Sequence, residues 1–127
     1  MLSALLFIIL ASALGVYLAL DYLAPNSRAA VILKTLPRGG YGLIHASLGA
    51  AGLVLLIANA PPNAILARAG ASGFASLAEW IFGLALLLGG VIALIGVRRR
   101  PPGLVIAIHA AAAIAGLTVL LAIVGLA

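Results

Sequence analysis

Two histidines, His45 and His109, are the residues of this chain best equipped to do chemistry. Both lie well inside long apolar segments, where an ionisable side chain is costly and by default marks a functional site. Imidazole offers three uses there. Two rings can ligate one haem iron, each giving a ring nitrogen to one axial position. They can hold a simpler metal, although two ligands do not complete a stable zinc or copper site and no Asp, Glu or Cys lies at that depth. They can also serve as a proton or quinone contact, because imidazole titrates near neutrality.

The two histidines belong to an internal repeat. At an offset of 64, Pro37 falls on Pro101, Gly39 on Gly103, and Ile44-His45-Ala46 on Ile108-His109-Ala110. Ala51-Gly52-Leu53 then falls on Ala115-Gly116-Leu117, Leu56 on Leu120 and Ala58 on Ala122, which makes ten identities in the 24 positions from 37 to 60 without a gap. Matching Ala and Leu carry little weight in such sequences; the matched Pro, Gly and His carry the repeat. At an offset of 75, Phe7, Gly15 and Val16 meet Phe82, Gly90 and Val91 more weakly. The chain therefore reads as a parallel repeat of two helical hairpins, 1–60 and 77–127.

Composition decides the solvent around these hairpins. Of 127 residues, 66% are hydrophobic and 7% charged, with a mean hydropathy of +1.37. A soluble domain carries about a quarter charged residues, so lipid is the expected partner for most of this surface. That excludes an ordinary soluble enzyme and a disordered tail. Despite a net charge of +5, nucleic acid is not an expected partner, because basic residues in a membrane protein first report topology. The absence of cysteine removes disulfides, thiolate metal sites, iron–sulfur clusters and c-type haem attachment. With Met1 the only methionine, a buried Met axial ligand is excluded as well.

A spanning helix needs about 20 apolar residues, and four segments qualify: 2–23, 40–60, 77–97 and 103–126. The first has no basic residue before its apolar run, so it is expected to be a retained helix rather than a signal peptide. Proline-containing turns end or separate the segments. Residues 28–36 are expected to lie in the interface as a short amphipathic helix, and 63–76 to form an outer loop without chemistry. Arg28, Lys34 and Arg38 lie between segments one and two, and Arg98, Arg99 and Arg100 between three and four; only Arg68 lies in the remaining loop. This asymmetry predicts both termini on the periplasmic side of what is expected to be a bacterial inner-membrane protein. Asp21-Tyr22 and Glu79-Trp80 are expected to anchor helix edges at the interface.

The expected architecture is thus a single all-α domain, 1–127, with four transmembrane helices in an up-down-up-down bundle. Helices two and four of such a bundle are diagonal neighbours. His45 lies seven residues past Arg38 and His109 nine past Arg100, roughly 10–14 Å along each helix. The two rings should therefore face each other at one depth. Gly49 and Gly52 share a helical face with His45, as do Ala113 and Gly116 with His109. These small residues are expected to leave a strip where a flat macrocycle lies, although taken alone they suit close helix packing better. Arg38 and Arg100 are candidates to pair with haem propionates, against the plainer role of contacting lipid headgroups. Tyr17, Tyr41 and Trp80 offer only a weak sign of a cofactor or quinone, since interface belts use the same residues.

A histidine on helix two and another on helix four of a four-helix bundle resembles the b-type membrane cytochromes, whose cytochrome b core draws haem ligands from the same two helices. The likeness covers the bundle plan, His45 and His109, with Gly52 and Gly116 as haem-packing glycines. It implies haem b as cofactor, and quinone and other membrane redox subunits as partners. Those proteins carry a second histidine about four turns further along each ligating helix. Here the positions 14 beyond are Asn59 and Ile123, so a single haem is implied. The expectation is an electron-transfer protein more than a stand-alone enzyme, with a homo-oligomer left open. The rival readings are a cofactor-free accessory subunit of a larger complex and, behind it, a small proton-linked transporter.

Overall fold

The computed structural model describes residues 1–23, 40–96 and 100–126. Among them are five helices and no strand: α1 Leu2–Leu23, α2 Gly40–Asn59, α3 Asn63–Arg68, α4 Phe74–Gly96 and α5 Gly103–Leu126. All but α3 are long and apolar enough to cross a membrane. Helix is the form a chain this apolar must take in lipid, because each backbone N–H and C=O then finds its partner within the same segment. Segments one and four match their expected bounds. Segment three begins at Phe74 rather than Leu77, and the loop that follows segment two contains the short helix α3.

Local chemistry sets the ends. Asn59 donates from Nδ2 to the Leu55 carbonyl at 2.8 Å in the last turn of α2, and the Pro61-Pro62 pair follows the end of the helix. Proline is well suited to precede α3, since its missing N–H would have had no partner in a first turn. Gly70 and Gly73 take positive φ angles of 71° and 84° between α3 and α4, a conformation that strongly favours glycine. At the other end of the bundle, the Tyr22 hydroxyl donates to the Pro101 carbonyl at 2.6 Å. Arg100 lies over the same ring, its guanidinium carbon 5.3 Å from the centroid.

The helices form a square. α1 packs against α2 and α4 against α5, and the two hairpins join through α1–α5 and α2–α4. The diagonals are therefore α1–α4 and α2–α5, as an up-down-up-down order requires.

Packing is uneven along the bundle. Its core consists of Ala4 and Ile8 from α1, Leu56 from α2, Leu66 from α3, Ala75, Ala78 and Phe82 from α4, and Leu120 and Ile123 from α5, with Ala71 from the turn after α3. All of these lie toward the end where α1 and α4 begin and α2 and α5 finish. Leu66 is fully buried and closes that end. Ala11 and Ala85 are buried midway along α1 and α4, and beyond them toward the opposite end no described residue is buried.

Candidate functional site

The site is built twice, once in each hairpin. In the first, His45 Nδ1 lies 2.8 Å from the carbonyl oxygen of Ala11 on α1. In the second, His109 Nδ1 lies 2.8 Å from the carbonyl oxygen of Ala85 on α4. A carbonyl only accepts, so in both bonds Nδ1–H is the donor. Each neutral ring then keeps its lone pair on Nε2, and neither Nε2 has a hydrogen-bond partner among the described residues.

Each imidazole rests on a glycine. A Cβ added to Gly15 would lie 3.0 Å from His45 Cε1, and one added to Gly89 would lie 3.2 Å from His109 Cε1. Both separations are tighter than real side chains normally show. Gly15 follows Ala11 by four residues, and Gly89 follows Ala85 by four. The two half-sites therefore superpose α1 on α4 at an offset of 74, one residue from the offset of 75 that sequence identity suggested.

The half-sites meet across the α2–α5 diagonal. The His45 and His109 rings have centroids 5.9 Å apart and planes inclined at 79°, and both residues are half-buried. The remaining expected residues divide. Gly49 is half-buried, and a Cβ there would meet nothing within 4 Å, so that side of α2 is open one turn from His45. Ala113 is half-buried at the matching place on α5.

Gly52 and Gly116 do not border an open strip. Gly52 is covered by Ile8, whose Cγ1 would lie 2.6 Å from an added Cβ, and Gly116 by the Phe82 ring, 2.9 Å away. Ile8 and Phe82 again differ by 74. These glycines serve helix contact, and the two side chains form a floor beneath the histidines. Arg100 is drawn to Tyr22 at the end of the bundle. Arg38 lies outside the described residues, as do 28–36.

Tyr17 and Tyr41 meet edge to face with centroids 5.3 Å apart, joining α1 to α2 beyond the histidine level. One carboxylate oxygen of Asp21 is buried without a hydrogen bond among the described residues. Trp80 is 79% exposed in the bundle, and Glu79 half-buried. Gly15, Gly89 and the carbonyls of Ala11 and Ala85 were not anticipated. Their signal was present as Ala-x-x-x-Gly at 11–15 and again at 85–89.

Among the described residues no group of three or more His, Cys, Asp or Glu could hold a metal ion. The histidine pair thus offers two nitrogen ligands and nothing further. Metal–nitrogen bonds of about 2 Å, with each ring centre about 1.1 Å behind its nitrogen, would put two centroids roughly 6 Å apart, against 5.9 Å between these rings. No family model matches the chain, and neither the curated proteins nor the solved structures contain a match to it.

Proposed function

We propose that the protein is a b-type membrane cytochrome with one haem, which His45 and His109 would hold through one ring nitrogen each. The observation that supports this reading is the pair itself: two Nε2 atoms without a hydrogen-bond partner among the described residues, on rings whose centroids lie 5.9 Å apart, a separation that would suit one shared iron. A ligand set of two is too small for a simple metal ion, which needs about four protein or solvent donors. It is sufficient for an iron that brings four macrocycle nitrogens with it.

The chain's own part is burial, orientation and tuning. The Ala11 and Ala85 carbonyls hold each ring by Nδ1–H, which fixes the tautomer and raises the basicity of the ligating nitrogen. Ile8 and Phe82 close the site about two turns from the histidines, and the uncovered Gly49 lies between His45 and that floor. When bound, haem supplies one-electron exchange at the iron. We place the protein in a bacterial inner membrane and, on the loop charges, its termini outside. There it would pass electrons between quinone or a partner subunit and another carrier.

The test is haem content. Protein purified from haem-replete cells should yield about one non-covalent haem b per chain after extraction into pyridine. A colourless preparation that also fails to bind added haemin refutes the reading.

A further inference from the structure

We infer that Gly15 and Gly89 are positioning residues, each uncovering a helical carbonyl so that it can lock one histidine of the pair in its Nδ1–H tautomer. The inference rests on the ligand reading above and names the groups that orient those ligands.

A helical carbonyl at position i bonds the N–H of residue i+4 and has a second lone pair directed outward. Side chains lean toward the helix N-terminus, so the side chain at i+4 stands over that lone pair. This chain shows the relationship directly. Thr118 Oγ1 donates to the Ile114 carbonyl at 2.9 Å, and Asn59 Nδ2 to the Leu55 carbonyl at 2.8 Å. In both cases the side chain reaches the carbonyl four residues earlier.

At Gly15 and Gly89 that side chain is missing. The space over the Ala11 and Ala85 carbonyls is filled from the neighbouring helix instead, by His45 and His109. The imidazole Cε1 comes within 3.0 and 3.2 Å of where the absent Cβ would stand. Ala-x-x-x-Gly on one helix and His on its hairpin partner thus form one unit, and the unit occurs twice with its parts in the same register. Close helix packing alone would ask for a glycine; it would not ask for the same carbonyl, the same ring nitrogen and the same 2.8 Å in both hairpins.

The deciding experiment is histidine ring-nitrogen NMR on the cofactor-free, 15N-histidine-labelled full chain in detergent, at a pH where both rings are neutral. The wild type should show both rings in the Nδ1–H tautomer. Gly15→Val should abolish the single tautomer at His45 and leave His109 unchanged, and Gly89→Val should do the reverse, so each variant holds its own folding control. If valine disturbs both rings together, Gly15→Ala and Gly89→Ala decide: each should shift the signals of its own histidine alone, more at Gly15 than at Gly89.

A wild type with Nε2–H rings, or a valine variant whose own histidine keeps its tautomer, overturns the inference. Haemin titration provides the second arm. Binding about tenfold weaker or worse in Gly15→Val agrees with the loss of an orienting bond to a metal ligand. Equal affinity and identical spectra overturn the positioning role, whereas Nδ1–H rings that bind no haemin overturn the haem reading alone.

Discussion

His45 and His109 are 64 residues apart in the chain, yet their imidazoles meet across the diagonal of the bundle with centroids 5.9 Å apart. Each ring is held from behind by its own hairpin and presented toward the other hairpin. The contact between them is therefore set by how the two hairpins dock. Docking in turn depends on the packed end, where Leu66, Leu56, Leu120 and Ile123 are fully buried.

That division of labour predicts opposite effects for one substitution made one turn apart. Gly49→Ala adds a methyl group where nothing lies within 4 Å. In cofactor-free protein it should stabilise the helix by about 0.5–1 kcal/mol, the ordinary advantage of alanine over glycine. Gly52→Ala drives a Cβ to 2.6 Å from Ile8 Cγ1 and 3.3 Å from the Ile8 backbone nitrogen. It should cost about 1–3 kcal/mol through overpacking. Unfolding by sodium dodecyl sulfate in mixed micelles measures both, and equal effects would contradict the placement of Ile8.

The Tyr22 hydroxyl ties the end of α1 to the turn before α5, so Tyr22→Phe should cost about 1 kcal/mol in the same assay. Arg100→Ala should cost about 0.5–1 kcal/mol through the lost cation–π contact. Because Arg100 acts through the Tyr22 ring, the double substitution Y22A/R100A should cost less than Tyr22→Ala and Arg100→Ala measured singly and added. Strict additivity would separate Arg100 from Tyr22.

Topology is predicted by six basic residues in the first and third loops against Arg68 alone in the second. Alkaline phosphatase fused after Ala127 should be active, and a fusion at residue 99 inactive. The reverse pattern would invert the bundle in the membrane.

Much of this arrangement was legible in the residues. The apolar runs gave the spans within a few positions, because lipid leaves backbone no alternative to helix. The matched His45 and His109, on two helices that run parallel because one span intervenes, pointed to a common depth and a diagonal placement. The register of α1 against α4 was missed by one because Gly89 and Gly90 are adjacent and Gly15 can be aligned with either. Identity at Phe7 and Val16 favours Gly90, whereas the histidine contact falls on Gly89.

Gly52 and Gly116 share a face with the histidines, which made them look like lining for a cofactor. Only three-dimensional packing shows Ile8 and Phe82 already covering them. The short helix α3 was hidden in an Ala- and Gly-rich stretch with no clear period, and Leu66 contributes to the core through tertiary contact rather than any local signal.

The central claim is tested most directly by the reduced-minus-oxidised absorption spectrum of purified wild type, His45→Ala and His109→Ala. The wild type should show a Soret band with sharp α and β bands, the mark of low-spin haem with two nitrogen axial ligands. Either substitution should abolish the sharp bands, by loss of haem or by conversion to a high-spin spectrum. A wild type without haem absorption, or an alanine variant with the unaltered low-spin spectrum, would contradict the account.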